Sequence, residues 1–127
     1  MKRILKRKRF ARWQAEERLP DAALCMAVRA MEHGLIDASL GGLLYKQRVA
    51  WPGGGKSHGY RALLSARLGH RYVFLHGFSK SDQENIAPEE QKALQFAGRV
   101  FLELSPDAIS KALGSGILLE IHCEQDH

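Results

Sequence analysis

The stretch from Gly53 to Lys80 constrains the fold more than any other part of the chain. It reads P-G-G-G-K-S-H-G-Y-R from Pro52, then an apolar run, then R-Y-V-F-L-H-G-F-S-K. A glycine-rich basic loop thus leads into two alternating segments. Gly69-His70 between them suits a two-residue type II′ hairpin turn, which takes glycine first. That turn pairs Leu68 with Arg71, Ser65 with Phe74, Leu63 with His76 and Arg61 with Phe78. Because side chains alternate along a strand, one face then carries Arg61, Leu63, Arg67, Tyr72, Phe74, His76, Phe78 and Lys80. The other carries Ala62, Leu64, Ala66, Leu68, Val73, Leu75 and Gly77, an ordinary core face. The first is basic and aromatic, suited to holding a phosphate and stacking a base.

Charge supports an anionic ligand. The chain has 127 residues and a net charge of +5. Residues 1–80 carry 16 Lys+Arg against 5 Asp+Glu, a balance of +11, and residues 81–127 carry 3 against 9, a balance of −6. Such asymmetry points to an anionic partner on the N-terminal portion. Nucleic acid fits best, because the cations are interleaved with aromatics and glycines. The length implies one domain, enough for a sheet backed by helices. No window approaches the ~18 apolar residues of a membrane span. The basic start M-K-R-I-L-K-R-K-R-F lacks the apolar run of a signal peptide. A cytoplasmic location is expected. Cys25 and Cys123 are too few for a disulfide framework, so Cys25 is expected to be a buried free thiol.

The rest of the chain reads as short elements. Arg3 to Lys8 alternates weakly and suits an edge strand. Phe10 to Arg18 reads as a helix stopped by Leu19-Pro20. Asp21 to Glu32 is a second helix, with Leu24, Val28 and Met31 on one face and His33-Gly34 at its end. Leu43 to Ala50 is a strand broken by Trp51-Pro52. After the hairpin, Ala87-Pro88-Glu89-Glu90 opens a helix to about Leu104, with acids in its first turn. Ser105-Pro106-Asp107 caps another to Leu113, and Ile117 to Ile121 suits a last strand. The class is α+β, with helices on one face of a mostly antiparallel sheet.

The site residues have plain readings beside sharp ones. A nucleotide-binding P-loop is not expected, because its first glycine falls on Ala50 and a strand, not a helix, follows Ser57. Backbone amides of Gly53-Gly54-Gly55 can still hold a phosphate, or the loop is simply flexible. Arg61 can grip a phosphate with two hydrogen bonds, or pair with a surface carboxylate. Phe74 and Phe78 form a stacking platform or a protein contact. His76 and His58 are candidate acids or bases, although a lone strand histidine is more often structural. His122, Cys123 and His127 lack zinc-site spacing; they read as a disordered end, and neither metal nor cofactor is expected.

Lys56-Ser57-His58-Gly59-Tyr60-Arg61, then Gly77-Phe78-Ser79-Lys80 and Glu84-Asn85-Ile86, resembles the RelE/HigB-type toxins of bacterial type II toxin–antitoxin systems. Ala23-Leu24-Cys25 and Leu40-Gly41-Gly42 with Lys46 and Arg48 fit the same pattern. The resemblance spans roughly residues 1–113, leaving 114–127 as a C-terminal extension. It implies a small ribonuclease that cleaves messenger RNA on the ribosome, with a cognate antitoxin that carries a helix-turn-helix domain. By the same resemblance the catalytic set is Arg61, Lys56, Lys80 and Phe78. Lys46, Arg48, His58, Arg67, Phe74 and His76 complete the expected RNA-binding face. His58 departs from the glycine that the pattern has there. The alternatives are a ParE-like inhibitor of a protein target and a module that binds nucleic acid without chemistry.

Overall fold

A computed structural model of the chain describes residues 2–50, 59–79 and 86–124. Its elements are β1 (Arg3–Arg7), α1 (Lys8–Glu16), α2 (Asp21–Glu32), β2 (Ala38–Gly41), β3 (Leu44–Val49), β4 (Tyr60–Arg67), β5 (Arg71–Ser79), α3 (Pro88–Leu102), α4 (Pro106–Ser115) and β6 (Leu118–Ile121). One sheet runs β2-β3-β4-β5-β1-β6. All neighbours are antiparallel except β1 and β5. The α+β class and the mostly antiparallel sheet are as expected. Arg3–Arg7, however, is no edge strand. It lies between β5 and β6, where Ile4 and Leu5 are buried on opposite faces.

The helices divide between the two faces of the sheet instead of sharing one. Phe10, Leu24, Val28 and Met31 of α1 and α2 pack with Ala62, Leu64, Ala66, Tyr72 and Phe74. Leu94, Leu102, Ile109 and Ala112 of α3 and α4 pack with Leu5, Leu44, Leu63, Val73 and Leu75. Consecutive residues of β4 and β5 therefore enter different cores. This is why Leu63-Leu64 and Tyr72-Val73-Phe74-Leu75 are apolar throughout, the mark of strands covered on both sides. Gly98 lets α3 lie directly on β4, since a Cβ there would stand 1.7 Å from Ser65 Oγ. Arg71 fixes the other end of α3 by donating to the carbonyls of Phe101, Leu102 and Leu104 at 2.9–3.0 Å.

The hairpin holds the expected register at one end and departs from it at the other. Arg61 faces Phe78 and Leu63 faces His76, but Leu64 faces Phe74 and Arg67 faces Arg71. The turn has three residues, with Gly69 at φ +85°. Leu75 is the extra residue of a β-bulge, which absorbs the slip. A one-residue slip exchanges faces, so Tyr72 and Phe74 join the α1–α2 core while Val73 and Leu75 turn toward α3. The bulge is pinned from outside the hairpin, because Arg7 Nε donates to the Leu75 carbonyl at 2.7 Å.

Tyr72 locks the turn. Its hydroxyl donates to Glu32 Oε2 at 2.6 Å and accepts from Gly69 N at 2.7 Å. Burial first, then the Glu32 carboxylate, push the phenol up to about 12 from its ordinary 10.0. The folded protein keeps a proton that the unfolded chain releases near pH 10. This contribution to stability is complete below about pH 10 and is lost as pH rises toward about 12. Urea unfolding on either side of this window should show that alkaline loss, and Tyr72→Phe should flatten it.

Cys25 and Cys123 form a disulfide, with their Cα atoms 5.8 Å apart across 98 residues of sequence. Cys25 is therefore not a free thiol, and residues 122–124 are not a loose end. Residues 125–127, with His127, lie outside the described residues. Within the segment expected as an extension, β6 pairs with β1 and buries Leu118 and Ile121. A crosslink of this span stabilises chiefly by restricting the unfolded chain, typically by about 2–4 kcal/mol. Thermal unfolding with and without reductant should show that loss, and Cys123→Ser should reproduce it.

Candidate RNA-facing site

Three strands, β1, β3 and β4, bring cations to the sheet face that α3 half covers, and β5 between them adds Phe78 and His76. Across β3, β4 and β5, Arg48 faces Arg61 and Arg61 faces Phe78. One step along, Lys46 faces Leu63 and Leu63 faces His76. Arg7, at the end of β1, meets β5 beside this second row through the Leu75 carbonyl. Neighbouring strands lie about 4.8 Å apart, so Arg48 and Arg7 bracket a span of roughly 14 Å. Lys46, Arg48, Arg61 and His76 thus share one face, as the alternation of the hairpin implies.

Arg61 is held in place. Its Nε lies 3.1 Å from Asp37 Oδ2, and Nη1 donates to the Tyr60 carbonyl at 3.3 Å. Asp37 is itself placed by β3, because its backbone N–H donates to Gln47 Oε1 at 3.2 Å. Buried Gln47 also donates to the Leu35 carbonyl. Arginine and carboxylate both retain a partly exposed side chain. The pair is the arrangement expected of a plain surface arginine, and it is equally one that orients a guanidinium for an incoming phosphate.

Several expected positions differ. Phe74 is fully buried and packs against Phe10 with ring centroids 5.2 Å apart, so it cannot stack a base. The bulge is the cause. Phe78 keeps the expected face, but only 6% of it is exposed; it is core against α3 rather than an open platform. Its ring supports His76, at 5.8 Å between centroids. Arg67 is exposed at the turn, six residues along β4 from Arg61 and so about 20 Å away. It is not part of the same cluster. Lys56, His58 and Lys80 lie outside the described residues.

Asp37, Arg7 and Arg9 escaped the sequence reading. Arg7 and Arg9 sit at the β1–α1 junction, next to the site only because β1 runs parallel beside β5. Burial first, then the charge on Arg9, lower the Arg7 pKa, and a guanidinium remains charged all the same. Together with His76, Ile86, Glu90 and Leu94 they line a cavity of about 270 Å³. Among the described residues, no three His, Cys, Asp or Glu side chains are grouped to hold a metal, and no helix is long and apolar enough to cross a membrane.

A sheet with helices on both sides and a partly open row of cations on one face defines a class: a small α+β protein with a basic sheet face. The family model described as the RelE toxin of the RelE/RelB toxin–antitoxin system matches residues 2–121. The chain belongs to this toxin family. No curated protein matches it.

Proposed function

We propose that this toxin is an endoribonuclease that cleaves messenger RNA on the ribosome and so stops translation. The observation that carries the reading is the Arg48–Arg61–Phe78 row with its Asp37 partner. The RNA 2′-oxygen attacks the adjacent phosphorus, its proton passes to a base, and the 5′-oxygen leaves with a proton from an acid. The product ends are a cyclic phosphate and a 5′-hydroxyl. Two things lower the barrier: cations on the charged phosphorane and proton transfer at the two oxygens. Arg61 stabilises the phosphorane. Arg48 anchors the backbone, and Lys46, Lys56 and Lys80 supply further charge, one of them as acid or base. Phe78 acts from beneath, holding His76 and the Arg61 row in register. A site of this kind needs no metal. The ribosome positions the substrate, so free RNA is cut slowly.

A cognate antitoxin with a helix-turn-helix domain neutralises the toxin in the cytoplasm, by covering the basic face or by blocking ribosome entry. In a reducing compartment disulfides are rare, and Cys25–Cys123 would there be held by packing alone. A second reading, binding of RNA without cleavage, draws on the same Arg61–Asp37 pair, which suits a structural arginine as well. Growth arrest on expression, relieved by the protein encoded beside the toxin and accompanied by new transcript ends, supports the nuclease reading. Growth arrest with intact transcripts overturns it.

A further inference from the structure

The cavity beside the cationic row has a lining unlike the rest of that face. Arg7 enters from β1, Arg9 from α1, His76 from β5, and Glu90 and Leu94 from α3, with Ile86 before that helix. At about 270 Å³ it falls below the ~300–1,000 Å³ of sites for drug-sized ligands, a size for one nucleobase. Its polar groups are of both signs. At Arg61 the nearby carboxylate of Asp37 is taken up by an ion pair, whereas Glu90 forms no ion pair among the described residues and is left to accept from a ligand. A nucleobase suits it, because its edges carry donors as well as acceptors.

Guanine matches this set. Its O6 and N7 are both acceptors, the pair that arginine reads with two hydrogen bonds. Its Watson–Crick edge offers N1–H and N2–H donors, which an ionised carboxylate accepts. Adenine has no O6 and no N1–H, and uracil and cytosine lack the N7 acceptor. Leu94 and Ile86 provide apolar surface for the ring, and the His76 imidazole, supported by Phe78, provides a stacking face. Arg7 is pre-set by its bond to the Leu75 carbonyl, so little order is lost on binding.

We propose that the cavity bounded by Arg7, Arg9, His76 and Glu90 is a guanine-binding subsite, which takes an unstacked base next to the phosphate held at Arg61. The proposal rests on the ribonuclease reading for its place on the substrate, but it is tested without cleavage. The probes are the four 5′-nucleoside monophosphates, titrated by calorimetry against the full chain. GMP should bind about tenfold or more tightly than AMP, CMP or UMP, in line with one good bidentate base contact. Glu90→Gln should erase that preference, and Arg9→Ala should weaken GMP at least severalfold. Glu90 also accepts the Ala87 N–H at 3.4 Å at the start of α3, and a glutamine side-chain oxygen can accept the same bond, so the variant keeps its helix start. Arg61→Ala should leave the GMP preference in place. Equal binding of all four nucleotides, or a GMP preference untouched by Glu90→Gln, overturns the proposal. A GMP preference in a protein that cuts no transcript keeps the subsite and removes the nuclease reading. Arg61-dependent cleavage without a GMP preference does the reverse.

Discussion

Arg61→Ala should abolish growth arrest and reduce transcript cleavage by about 10³–10⁵-fold, the range for an arginine that stabilises a phosphoryl transition state. The fold should survive. The side chain is partly exposed and its partner Asp37 is a surface carboxylate, so the lost ion pair costs about 0–1 kcal/mol. The large kinetic effect and the small effect on stability together separate a catalytic arginine from a structural one. Arg61→Lys should rescue poorly. A point charge meets the phosphorane but cannot hold Asp37 and a phosphate oxygen with one planar fork. Asp37→Asn keeps the shape and removes the anion, so it reports whether the pair orients Arg61 or restrains it.

A large expected effect on stability lies on the opposite face. A Cβ at Gly77 would stand 2.3 Å from Trp13 Cε3 and Cζ3, well inside contact distance. The indole has little room to retreat. Phe10 lies at 5.3 Å and Tyr60 at 5.7 Å from it, centroid to centroid. Gly77→Ala should therefore cost about 3 kcal/mol, the upper end of the usual overpacking range, measured by urea unfolding. If the clash is the cause, Gly77→Ala combined with Trp13→Ala should cost much less than the sum of the two single changes. Additive costs would place the effect elsewhere. Because Gly77 immediately precedes Phe78, loosening this contact should also lower activity, through the position of Phe78 rather than through chemistry.

Local pattern carried much of this architecture. The second helix was legible to its ends, Asp21 and Glu32, because Leu24, Val28 and Met31 repeat at helical spacing between Pro20 and Gly34. Arg61 opposite Phe78 was legible from the alternation. The bulge was not. Nothing in R-Y-V-F-L-H marks Leu75 as the extra residue, since the carbonyl it exposes is satisfied by Arg7, 68 residues earlier. Phe74 was misplaced for that reason alone. The division of helices between two faces did have a signal, the unbroken run Tyr72-Val73-Phe74-Leu75, which a one-sided sheet would interrupt with polar residues. The disulfide had none. Cys25 and Cys123 meet because β6 returns beside β1, a long-range consequence of topology. The same holds for the candidate site: its hairpin half was readable, while Arg7, Arg9 and Asp37 arrive from a strand, a helix and a loop that only the assembled sheet brings near.

The central claim is that the Arg61 row cuts RNA, and mapping of transcript ends on translating ribosomes tests it most directly. Wild-type toxin and Arg61→Ala would be compared at matched protein levels. Discrete new ends, bearing a 5′-hydroxyl on the downstream fragment and absent with Arg61→Ala, are the predicted result. The same ends at the same yield with both proteins would contradict it.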